Sequence, residues 1–122
     1  MQLDYLDFDY SEAEEGSGSW DALASVTSAR LPALLAEVQD LLRWADHHFA
    51  GRRGPLEDGG DWDYALQAQA DDGTPLALHY DGARLQCEAA PTAAPGQRTT
   101  LSLTLSASAA FSDALRARYG LD

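Results

Sequence analysis

Two acidic stretches and three histidines hold the side chains whose types and spacing could do chemistry. DGGDWD at 58–63 sets Asp58, Asp61 and Asp63 close together, and clustered carboxylate oxygens are what a hard divalent cation takes. Glu12, Glu14 and Glu15 precede Gly16 in a second acidic loop. Neither stretch follows the D-x-[DN]-x-[DN]-G-x₅-E pattern that carries a calcium loop. Each therefore reads first as a solvated acidic turn, with a divalent-cation site as the alternative. His79, Cys87 and Glu88 supply the residue types of a Cys–His pair, but a nucleophile and its base must come within hydrogen-bond reach. His47 and His48 are adjacent, so on a helix they diverge by about 100°. Helical zinc pairs sit at i, i+4, and the histidine pair reads as a helix-end surface feature facing the carbonyl end of the dipole. G-x-S-x-G, P-loop and dinucleotide fingerprints are absent, and GSGS at 16–19 is not followed by a helical pattern.

The elements that must position these groups follow from periodicity. In residues 3–10, Leu6, Phe8 and Tyr10 alternate with Tyr5, Asp7 and Asp9; in WDALASV, Trp20, Ala22, Ala24 and Val26 share a face opposite Asp21. Period 2 predicts half-buried strands, joined across SEAEEGSGS as a hairpin with an unusually long loop. From Leu31 to Phe49 the apolar residues Leu34, Leu35, Val38, Leu41, Leu42 and Ala45 recur at helical spacing, with Pro32 near the start and Gly51 past the end. Trp44 falls at the edge of that stripe, where core-edge packing competes with a role as a contact anchor. GRRGPLEDGG is a turn-rich connector. DWDYALQAQA puts Trp62, Tyr64, Leu66 and Ala68 inward, and Asp61, Asp63, Gln67 and Gln69 outward. LALHY, LQCEA and TTLSLTLS alternate in turn, with His79, Glu88, Thr100, Ser102 and Thr104 outward and Cys87 inward. Ser108 is an N-cap and Gly120 a stop for a closing helix.

The order is β-β-α-β-β-β-β-α. No strand is apolar throughout, which argues against a parallel sheet covered on both faces. The prediction is one α+β domain over 1–122: a mostly antiparallel sheet of five to six strands with both helices packed on one face.

Composition limits the function. The 122 residues carry a net charge of −12, with 20 acids against 8 bases. Repulsion from phosphate disfavours nucleic acid and anionic membrane surfaces alike. Segments 1–29 and 57–81 hold seven acids each and no base. The single cysteine allows neither an intramolecular disulfide nor a cysteine-based zinc site within one chain. The acidic N-terminus lacks the charged start of a signal peptide, and no apolar run is long enough to cross a membrane; the expectation is a cytoplasmic protein. Lys, Ile and Asn are absent while Ala and Arg abound, the codon signature of a high-GC bacterial genome.

These observations predict a non-catalytic interaction module, without cofactor or metal, that binds a basic partner or self-associates. Its surface would comprise Asp7, Asp9, Asp21, Asp61, Asp63, His79 and Trp44. The alternatives are a small enzyme using Asp61 and Asp63 with His79, a divalent-cation-binding protein, or an acidic protein whose charge serves solubility only. TTLSLTLS, long and uncharged, would favour a homodimer if it lay at a sheet edge.

Overall fold

A computed structural model describes residues 2–87 and 97–121. The first two alternating runs pair antiparallel as β1 (Phe8–Glu12) and β2 (Gly18–Thr27), with Phe8 opposite Ala22 and Tyr10 opposite Trp20. Their loop is shorter than the sequence suggests. It spans residues 13–17, closed by Ala13 N–H donating to Ser17 O at 2.8 Å. Gly18 and Ser19 therefore belong to a strand, although glycine is a poor strand former. The reason is the Tyr10 ring, which lies against Gly18 so closely that a Cβ there would sit 2.4 Å from Tyr10 Cε1.

Helix α1 (Leu31–His48) buries Leu34, Val38, Leu41, Leu42 and Ala45, the stripe its periodicity predicts. Pro32 falls in the first turn, where its missing N–H removes no helical bond. The connector after α1 folds tightly around a 3₁₀ turn at Leu56–Asp58. Gly60 passes the backbone there so closely that a Cβ would stand 2.4 Å from Gly54 O. Strand β3 (Trp62–Gln69) follows, then β4 (Pro75–Leu76), β5 (Leu78–Tyr80), β6 (Leu85–Cys87) and β7 (Arg98–Ala107). Helix α2 (Ala109–Tyr119) closes the chain. Ser108 Oγ accepts from Phe111 N–H at 3.2 Å as its N-cap, and Gly120 (φ 65°) turns its C-terminus in the left-handed region.

The main sheet has five strands in the order β1-β2-β7-β3-β4, all antiparallel. The fold is thus α+β, as the pattern predicts. The sheet splits where a single strand over 76–80 was expected. The chain leaves β3 after Leu76, and Leu78–Tyr80 pairs instead with Leu85–Cys87 in a separate two-stranded sheet. That hairpin packs on α1: Leu85 N–H donates to Gln39 Oε1 at 2.9 Å, and Tyr80 Oη donates to Asp46 Oδ2 at 2.7 Å. TTLSLTLS is not an edge strand. As part of β7 it is the central strand, paired with β2 on one side and β3 on the other, so the route to a homodimer through its free edge is closed.

The core lies between the sheet and the helices. Leu101, Leu103 and Leu105 of β7 are fully buried with Trp20, Trp62, Phe111 and Leu115. Burying one leucine of this kind contributes about 1.5–3 kcal/mol. Leu103 stands between Ala22 and Leu66 at the middle of the sheet, where truncation to alanine would cost about 2–5 kcal/mol. Trp20 Nε1 and Ser112 Oγ tie β2 to α2 at 3.0 Å. Ahead of β1, residues 4–6 are strapped to α1 by one side chain: the Glu37 carboxylate accepts from the backbone N–H of Asp4, of Tyr5 (3.0 Å) and of Leu6 (2.8 Å).

Candidate interaction surface

With both helices on one face, the other face of the main sheet has no layer over it among the described residues. Register fixes what it displays. Asp9, Asp21, Thr104 and Ala65 form one cross-strand row; Ser11, Ser19, Ser106 and Asp63 form the next. Further along lie Leu23, Ser102 and Gln67, then Ser25, Thr100 and Gln69. Leu23 is 66 % exposed, the one large apolar side chain so open among the described residues. Arg98 ends the face, its guanidinium donating to Ser25 Oγ and to the Ser25 carbonyl. The face therefore runs from an acidic end at Asp9, Asp21 and Asp63 to a single cation.

Asp9 and Asp21 are directly opposed across the β1–β2 ladder, and like charges so placed are destabilising. Asp21 is partly compensated, because Thr104 Oγ1 donates to it at 2.7 Å and Ser19 Oγ at 3.3 Å. Asp7 and Asp9 receive no hydrogen bond from any described residue.

The remaining predicted positions separate. Asp61 lies just before β3, outside the paired rows. It is a junction between the connector and α2: Oδ2 accepts from Arg52 Nε at 2.6 Å, Oδ1 from Ser108 Oγ at 2.9 Å, and its carbonyl from Ser108 N–H. The Arg52 hydrogen bond, followed by that of Ser108, holds its carboxyl below the usual aspartate range. Asp63 is on the face, but its carboxylate also accepts from Tyr64 N–H at 2.9 Å. His79 is exposed on β5, outside the main sheet, so it shares no face with Asp63. It pairs across the hairpin with Gln86, while Cys87 pairs with Leu78, so the register puts His79 and Cys87 on opposite sides of the hairpin. Glu88 lies outside the described residues. Trp44 is half-buried in an aromatic group on the helix side, 5.6 Å from His48 and 5.7 Å from Phe111, with the Arg118 guanidinium 5.4 Å above its ring. It belongs to neither the acidic face nor the carboxylate rows.

Turn chemistry accounts for several of the other acids. Asp72 Oδ1 accepts from Thr74 N–H, and Asp81 Oδ1 from the N–H groups of Ala83 and Arg84. Thr74 holds Asp72, and the Arg84 and Ala83 amides hold Asp81, below the ordinary carboxylate range. Glu15 is lowered in the same way by the Ser17 hydroxyl, 2.7 Å away. Among the described residues no group of three or more His, Cys, Asp or Glu side chains is placed to hold a metal ion, and no helix is long and apolar enough to cross a membrane.

Concavities also lie away from the open face. A groove of about 570 Å³ is bordered by Asp40, Arg43, Trp44, His47 and Arg118. An apolar hollow of about 310 Å³ lies among Leu31, Leu35, Leu76 and Cys87. A third, of about 350 Å³, runs beneath the N-terminal strap and includes Asp4, Tyr5, Glu37, Asp40 and Tyr119. Sequence periodicity missed this last site. It depends on Glu37 drawing residues 4–6 onto α1, a contact between positions more than thirty apart in the chain.

No family model matches the chain, and neither a curated protein nor a solved structure matches it.

Proposed function

We propose that this protein is a non-catalytic interaction module that binds a basic partner through the uncovered sheet face, with Asp9, Asp21 and Asp63 as its charged contacts and Leu23 as an apolar one. The observation that carries the reading is the opposition of Asp9 and Asp21 across β1–β2. A like-charge pair works against the ladder that holds it. A cation brought between the two carboxylates would relieve that cost, so binding gains what the free protein gives up. Complementary charge of this kind speeds encounter and sharpens partner choice. The neutral Ser and Thr side chains around the pair add hydrogen-bonding groups without competing charge.

The test uses a deca-arginine peptide as probe, titrated calorimetrically at low and at physiological salt. Wild-type protein should bind with an affinity that falls steeply with salt, and Asp9→Asn/Asp21→Asn should lose most of it. Equal binding by the variant, or no binding at low salt, defeats the reading.

A further inference from the structure

The groove under the N-terminal strap holds an observation that the acidic surface does not explain. Tyr119 is 6 % exposed, and its buried hydroxyl finds no acceptor for its proton among the described residues. A buried polar group without a partner is rare in folded proteins. The Arg118 guanidinium lies 5.4 Å from the Tyr119 ring, but a guanidinium only donates and offers nothing to the phenolic proton. The same groove is walled by Tyr5 and by the carboxylates of Asp4 and Asp40. Glu37 is already occupied by three backbone amides. Asp4 and Asp40, both exposed, accept nothing from any described side chain. The site thus presents two free carboxylates, two aromatic rings and one O–H in need of an acceptor.

We propose that this groove is an anchor site for one arginine of a basic peptide. The guanidinium would be shared by Asp4 and Asp40, which suits its fork of donors. The ring of Tyr5 offers a face for it to stack against. The peptide carbonyl beside that arginine would accept the Tyr119 proton. About 350 Å³ is at the small end of ligand pockets, enough for one long side chain and the adjoining peptide unit. The groove lies in the helix layer and the acidic rows lie on the opposite face of the sheet, so this inference does not rest on the function proposed above.

The experiment is an NMR titration of the full chain with Nα-acetyl-arginine N-methylamide, using the glutamine analogue as control. The expected result is saturable shifts at the amides of Glu37, Asp40 and Tyr119 with the arginine probe alone. Tyr119→Phe should weaken binding about tenfold, the loss of one well-made hydrogen bond. It should leave the thermal midpoint nearly unchanged, because the phenolic proton it removes has no acceptor among the described residues of the free protein. A purely structural hydroxyl would lower the midpoint instead. Asp40→Asn, at an exposed position, should weaken binding without affecting folding and serves as the second variant. Absence of saturable shifts, an equal response to the glutamine analogue, or wild-type binding by both variants overturns the inference. Shifts confined to Leu23, Ala65 and their neighbours also overturn it, while leaving the sheet-face reading intact.

Discussion

The indole N–H of Trp20, on β2, donates to Ser112 Oγ, on α2, at 3.0 Å in the fully buried centre of the molecule. This one bond spans most of the chain and sets how α2 sits on the sheet. Ser112→Ala would leave the indole N–H buried without an acceptor, which costs about 1–3 kcal/mol. Urea unfolding should show the midpoint falling with the slope unchanged. A midpoint equal to wild type would mean that the serine oxygen is dispensable.

Neutralising the opposed acids separates their two roles. Asp9→Asn removes the repulsion and disturbs no hydrogen bond among the described residues. It should stabilise the free protein by about 0.2–1 kcal/mol at low ionic strength. Asp21→Asn should gain less, since it perturbs the bonds from Thr104 and Ser19. Both gains should shrink in high salt as screening grows. Thermal melts at two salt concentrations check the order.

Glu37 is the sole clasp on the N-terminal strap. Glu37→Ala leaves three backbone N–H groups without their acceptor, and hydrogen exchange should become fast at Asp4, Tyr5 and Leu6 while the amides of β7 stay protected. Leu6 is buried, so the loss should also reach global stability, by about 1–3 kcal/mol. Glu37→Gln keeps one acceptor oxygen and should fall between the two.

The acid limb of the stability curve should carry a contribution from Asp61. Its carboxyl titrates below the ordinary aspartate value because Arg52 and Ser108 bond its charged form. A lowered folded pKa means that the unfolded chain takes up the proton first as pH falls. The stabilisation is therefore complete above about pH 4, the unfolded aspartate value, and is lost as pH drops through the folded value. Asp61→Asn should be less stable than wild type at pH 6, and the gap should narrow as pH falls through the folded value. The effect is small, since the Arg52 side chain is 54 % exposed. A gap that stays constant across this range would remove Asp61 as its source.

Periodicity located the layers because strand and helix phases are set by burial, and burial was strong. Leu101, Leu103 and Leu105 alternate with Ser102 and Thr104 in both the sequence and the fold. What periodicity could not supply was which strand neighbours which. Nothing local in TTLSLTLS distinguishes a central strand from an edge one; the difference is made by β2 and β3, which reach it from far along the chain. The departure at Ala77 was hidden for a similar reason, since LALHY alternates without a break while Tyr80 is drawn to Asp46 on α1. The outward phase of Asp9, Asp21 and Asp63 was legible, because it is fixed by aromatic and alanine neighbours. The bonds of Asp61 to Arg52 and Ser108 were not, since no two-residue period can reveal such partners. Tyr119 was read only as part of a helix, because an unmet hydroxyl is a property of its surroundings alone.

The short β4 and the acidic β1 bear on how the molecule resists polymerising. On one margin the last strand, β4, is only Pro75–Leu76 and pairs with β3 at Ala68 and Gln69 alone, so the strand itself is too short to seed growth. The other margin, β1, is five residues long and open, yet a second copy approaching it must bring Asp7, Asp9 and Glu12 against their own duplicates. The first safeguard is geometric and indifferent to solvent. The second is electrostatic and fades as salt screens it. High salt should therefore make this protein sticky along one margin while it is still folded.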